Sequence, residues 1–132
     1  VKKILKIPVI GNGDVSTGKD VERIMRETGC DGVMIARGSI GDPLIFERVL
    51  NYFNNGKEEE FDFFRNLEIF GEYLRLEKKY YGSDVDLGRV KRVGGKFLRG
   101  FEGAAGMRQE LMKCKGIDEI EKIIADFKLK GF

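Results

Sequence analysis

Two glycine-rich segments carry the most chemistry in this sequence, Gly11-Asn12-Gly13-Asp14 and Arg37-Gly38-Ser39-Ile40-Gly41. Glycine lets backbone N–H groups approach a phosphate closely, and a helix starting just beyond adds a favourable dipole. Gly13-Asp14 and Arg37-Gly38 are therefore suited to clasp one phosphate monoester between them, with Arg37 adding charge directly. The competing reading is that these glycines only make tight turns. A second constellation is cationic. On a helical wheel Arg89, Arg92, Lys96 and Arg99 fall within about 80° of one another, with Val90, Val93, Phe97 and Leu98 on the other side. A stripe of this kind tracks the phosphates of a polyanion. Arg108, with Lys113 and Lys115, extends it. Alternatively it is a solvated helix face that pairs with Glu58-Glu59-Glu60. Tyr80 and Tyr81 lie beside the basic block, either as core or capping contacts or as a stacking surface for an unpaired base.

The charge distribution supports a local polyanion site. The 132 residues carry a net charge of +2, yet residues 75–115 hold eleven basic and five acidic side chains. There is no histidine, which removes the most common general acid/base. Cys30 and Cys114 are far apart with no third ligand, so they read as buried, reduced thiols and not as a zinc site. Any enzymatic chemistry then rests on a cofactor or on residues outside this chain. No apolar run approaches the ~20 residues of a membrane span. The start, Val1-Lys2-Lys3-Ile4-Leu5, has no leader pattern, and a cytoplasmic protein is expected.

The elements that must position these residues divide near Asn54-Asn55-Gly56-Lys57, giving segments 1–56 and 57–132. In the first, the apolar run Ile7-Pro8-Val9-Ile10 reads as a strand buried on both faces. A helix follows over 18–28, with Ser16 or Thr17 as cap, Val21, Ile24 and Met25 inward, and Gly29 as the stop. Gly32–Ala36 is a second buried strand. Asp42-Pro43 opens another helix, with Asp42 as N-cap and Ile45, Phe46, Val49, Leu50 and Phe53 as its buried face. This is an α/β segment, a βαβα unit with a right-handed parallel connection. The second segment is mostly helical: Phe61–Tyr80, Val85–Arg99, Ala104–Lys113 and Asp118–Lys128, a small antiparallel bundle. Gly94-Gly95 in mid-helix requires either very close packing or a bend. The open edges of a two-stranded sheet need a cover, and a homodimer is one way of supplying it.

Both glycine loops follow predicted parallel strands, as the phosphate-binding loops after strands seven and eight of a (β/α)8 barrel do. The residues around them resemble one family. Ile7-Pro8-Val9-Ile10-Gly11-Asn12-Gly13-Asp14, then Asp31-Gly32-Val33-Met34-Ile35-Ala36-Arg37, then Gly41-Asp42-Pro43-Leu44-Ile45-Phe46 are similar to the I-P-V-x-x-N-G-D, D-G-x-M-I-G-R and G-x-P-W-I-F segments of the tRNA-dihydrouridine synthases. Val90-Lys91-Arg92 and Phe97-Leu98-Arg99-Gly100 resemble that family's M-R-K-H and W-Y-x-K-G stretch. Ala36 stands where the family has glycine, Leu44 where it has tryptophan, and Val93 where it has histidine.

The resemblance covers the chain as the last two-fifths or so of a family member. It implies the end of an FMN-binding TIM barrel followed by a helical RNA-binding domain. The activity implied is reduction of uridine to 5,6-dihydrouridine in tRNA, with FMN as cofactor and NADPH as electron donor. By the same resemblance Asn12, Gly13, Asp14, Ala36 and Arg37 surround the FMN phosphate, and Arg89, Arg92, Lys96, Arg99 and Arg108 face tRNA. The family's catalytic cysteine, and its lysine and histidine near the flavin, have no counterparts here. No catalytic residue is assigned, and the chain alone is expected to be inactive. Two other readings stay open: a non-enzymatic RNA-binding module, and a fragment of a different FMN-dependent TIM-barrel oxidoreductase.

Overall fold

A computed structural model describes residues 2–129; Val1, the first residue of the N-terminal segment read above, and residues 130–132 lie outside them. The chain forms two compact units, Val1–Glu60 and Phe61–Phe132. The first is a βαβα unit and the second a helical bundle, so the protein is mostly helical.

In the first unit, strand β1 (Ile10–Asn12) pairs in parallel with β2 (Gly32–Met34), with Gly11 opposite Val33. Helix α1 (Gly18–Thr28) makes the crossover, and α2 (Ile45–Asn55) packs beside it. Thr17 caps α1 through a reciprocal box with Asp20, and Gly29 stops it at φ 66°. Val15, Val21, Ile24, Cys30, Ile45 and Val49 form the core.

Five expectations need correction. The first strand begins at Ile10, not Ile7, because Pro8 has no N–H to offer and the Val9 N–H is taken by the Asp31 carboxylate. The second strand stops at Met34, since its partner ends at Asn12 and the chain turns at Asp14 with φ 26°. Neither strand is buried on both faces: Ile10 and Met34 are exposed, and among the described residues the sheet has two strands. Helix α2 starts after Leu44, and Asp42 does not cap it. Asp42 is instead buried in an ion pair with Arg48. Of the apolar stripe assigned to α2, only Ile45 and Val49 are buried; Phe46, Leu50 and Phe53 remain exposed.

In the second unit, α3 (Phe63–Tyr81) is capped by Asp62 and α4 (Leu87–Phe97) by Asp86. Helices α5 (Ala104–Lys113) and α6 (Ile117–Leu129) follow. Helix α3 packs on α4 and α6, and α5 packs on the same two, so the four close around one core. Leu67, Phe70, Leu74, Val90, Leu111 and Ile120 are almost fully buried in it. Phe70 stacks on Phe97 with ring centroids 5.1 Å apart. Helix α4 runs unbroken through Gly94 and Gly95, and Gly94 is buried. Close packing thus accounts for that glycine. Among the described residues no helix is long and apolar enough to cross a membrane, and no cluster of three or more His, Cys, Asp or Glu side chains is arranged to hold a metal.

Candidate functional site

The two glycine loops meet. Arg37 Nη2 lies 2.5 Å from Asp14 Oδ1, and the two side chains are 85% and 86% exposed. Behind this pair the loop backbones touch: a Cβ at Gly38 would lie 2.1 Å from the Val15 carbonyl oxygen, so only glycine permits the closure. Gly13 has open space where a Cβ would stand. Asn12 ends β1 opposite Met34. Ala36 precedes a short 3-10 turn, Arg37–Ser39, in which Ser39 N donates to the Ala36 carbonyl and Ile40 N to that of Arg37. A 3-10 turn leaves its first N–H groups without acceptors inside the turn, and these belong to Arg37 and Gly38.

The dipole contribution assigned to α1 is already spent. Ser16 N and Thr17 N donate to Asp20 Oδ2, and Lys19 N donates to Glu58 Oε1. Burial raises the Asp20 carboxyl, but hydrogen bonds from the backbone and hydroxyls of Ser16 and Thr17 outweigh it and hold the pKa below the ordinary value. Two carboxylates thus occupy the place an anion would take. The Ser16-Thr17-x-x-Asp20 pattern was legible as a capping box and signalled this. Arg37 is the one cationic side chain of the two glycine loops.

The cationic helix is also less open than its wheel suggests. Arg89 Nη2 donates to Glu77 Oε2 at 2.6 Å, where the Glu77 side chain is 7% exposed. Its guanidinium lies over the Tyr81 ring, 4.6 Å from the centroid. Hydrogen bonds to Glu77 and Tyr81 hold the Arg89 pKa above its ordinary value. Arg108 Nη1 donates to the Leu98 carbonyl at 2.6 Å, tying α5 to the end of α4. Arg99 is exposed. Arg92 and Lys96 are exposed and, among the described residues, form no ion pair, although Arg92 lies near Asp86. Glu58 and Glu59 have partners within the first unit. Glu58 bonds Lys19 N, and Glu59 accepts from the Asn51 side-chain amide.

Beneath Arg89, burial and the neighbouring Glu77 carboxylate push the Tyr73 hydroxyl up to about 12 from its ordinary 10. The folded protein holds this proton more tightly than the unfolded chain does. Its contribution to stability is full below pH 10 and lost as pH rises through about 12. Unfolding in urea at graded alkaline pH should show a loss in that window that Tyr73→Phe flattens.

Comparison with known proteins decides the ancestry. The profile of the dihydrouridine synthase (Dus) family matches residues 1–130. The chain belongs to that family. A probable tRNA-dihydrouridine synthase of Aquifex aeolicus is 27% identical over 127 residues, covering 96% of this chain and 39% of the relative. One from Synechocystis is 31% identical over 120 residues, covering 90% of this chain and 34% of the relative. One from Rickettsia conorii is 27% identical over 128 residues, covering 96% and 39%. The chain therefore spans between a third and two-fifths of the length of these dihydrouridine synthases.

Proposed function

We propose that this chain is the C-terminal part of an FMN-dependent tRNA-dihydrouridine synthase, which reduces uridine to 5,6-dihydrouridine in tRNA with NADPH as electron donor. The match to the family across nearly the whole chain carries this reading. The first unit supplies the phosphate end of the flavin site and the second unit a grip on tRNA. FMN, when bound, supplies the hydride chemistry.

The residues present fit a phosphate monoester. Arg37 provides charge on an exposed guanidinium, and the Arg37 and Gly38 N–H groups are not used within the turn. Gly13 leaves room beside them. The N–H at Ala36 serves as well as one at glycine, since the methyl group is exposed. Asp14 is a carboxylate and repels a phosphate, so its role is to hold Arg37 in position. Asn12 borders the site from the end of β1. On the RNA side, Arg92, Lys96 and Arg99 face the phosphates, while Arg89 and Arg108 brace the helices that carry them. In this reading the open edges of β1 and β2 pair with the remaining strands of the barrel, with a homodimer as the alternative cover, and the setting is cytoplasmic. No catalytic group is assigned to the chain, and alone it should form no dihydrouridine.

Unmodified tRNA is expected to bind the purified chain in a salt-sensitive manner. Reversing two phosphate contacts with Arg92→Glu and Lys96→Glu should weaken binding more than tenfold and lower the salt slope by about 2. Unchanged binding in that variant would remove α4 from the RNA grip. Flavin affinity without RNA affinity would point to a different FMN barrel oxidoreductase, and RNA affinity without flavin affinity to a binding module alone.

A further inference from the structure

We propose that Tyr81, backed by the Arg89 guanidinium, is a stacking platform for an unpaired RNA base at the start of the α4 cationic stripe. The inference rests on the RNA-contact reading above and adds a specific contact to it. Tyr80 and Tyr81 end α3, and a helix-end aromatic used for capping or core packing would be covered. These are 71% and 48% exposed, whereas Phe70 and Phe97 of the same unit are buried.

Tyr81 is not loose. Arg89 lies over its ring, and Arg89 is itself fixed by the buried Glu77 carboxylate. The ring is thus held before any ligand arrives, which reduces the ordering cost of binding. The charges around it select the part of a nucleotide that can dock. Asp84 and Asp86 lie between Tyr81 and α4 in sequence, both exposed, and Asp86 takes the Arg89 N–H as the helix cap. A phosphate is disfavoured beside two carboxylates, but an uncharged base is not. Arg92 and Lys96 lie further along α4, with Lys96 about 10 Å beyond Arg89. A strand whose phosphates follow those two cations can place a base on the tyrosine. Lys79, over the Tyr80 ring, adds charge on the flank.

The test compares binding of the full chain to single-stranded oligouridine and to duplex RNA of equal length. Tyr81→Ala should weaken single-strand binding by about tenfold and leave duplex binding unchanged, while Tyr81→Phe keeps wild-type affinity. Unaltered far-UV circular dichroism would show that the variants fold, as expected for an exposed helix end. Single-strand binding by Tyr81→Ala equal to wild type, with loss in the Arg92→Glu/Lys96→Glu variant, would overturn the platform and leave the RNA grip standing. Equal losses for single-strand and duplex RNA in Tyr81→Ala would also overturn it. Absence of RNA binding by the wild-type chain would overturn both readings together.

Discussion

Gly94→Val is expected to destabilise the helical unit by about 3 kcal/mol or more, while Gly95→Ala, one residue on, stabilises it by up to ~1 kcal/mol. The two glycines have opposite reasons to be there. A Cβ at Gly94 would stand 2.5 Å from Phe70 Cζ and 3.1 Å from Leu111 Cδ2. Phe70 cannot swing away, because it is fully buried and stacked between Tyr73 and Phe97. Any side chain at Gly94 therefore pushes α4 off α3, and the gain in helix propensity cannot compensate. At Gly95 the nearest atom to an added Cβ is Met112 Cε at 3.8 Å, an ordinary contact. Alanine there removes backbone freedom from the unfolded chain without a steric cost. Urea unfolding followed by circular dichroism at 222 nm reads both. A neutral Gly94→Val would contradict the close α3–α4 packing, and a destabilised Gly95→Ala would contradict the open space between α4 and Met112 of α5.

The same comparison shows what the sequence could reveal. Local signals were read well where the chain settles them alone. The α1 cap within Ser16-Thr17 and the Gly29 stop depend on residues within one turn, and the four helices of the second segment follow from their spacing. Strand length was less legible, because it depends on where a partner strand continues, and β1 and β2 support each other for only three residues. The cationic stripe was overestimated for a related reason. A helical wheel sees one helix, and Glu77, twelve residues away on α3, takes Arg89 out of it. The Leu98 carbonyl likewise takes Arg108, through a contact between α5 and the end of α4. The two glycine segments were legible as loops. Their closure through Gly38 and Val15 was not, because spacing alone does not tell which glycine lies against another backbone.

Asp42→Ala should cost about 3–5 kcal/mol in the first unit and loosen the second glycine loop with it. Asp42 accepts from Arg48 Nη1 and Nη2, at 3.0 and 2.6 Å, and the two side chains are 7% and 12% exposed. Removing the carboxylate takes two charge-assisted hydrogen bonds from a buried guanidinium, which costs more than the pair's net contribution. Asp42 also joins the loop to the helix through its backbone. Its N–H donates to the Ser39 carbonyl, and its carbonyl accepts from Ile45 N. Ser39 closes the turn that carries Arg37, so the ion pair anchors the loop proposed to grip phosphate. The double variant Asp42→Ala/Arg48→Met discriminates between burial and charge. It removes the buried guanidinium together with the carboxylate and should recover a large share of the stability lost in the single variant. Hydrogen exchange at Ser39 and Ile40, whose N–H groups close that turn, should accelerate in Asp42→Ala and slow again in the double variant. If the double variant is as unstable as the single one, the loss lies in packing around Asp42, and the loop is anchored by shape instead of by charge.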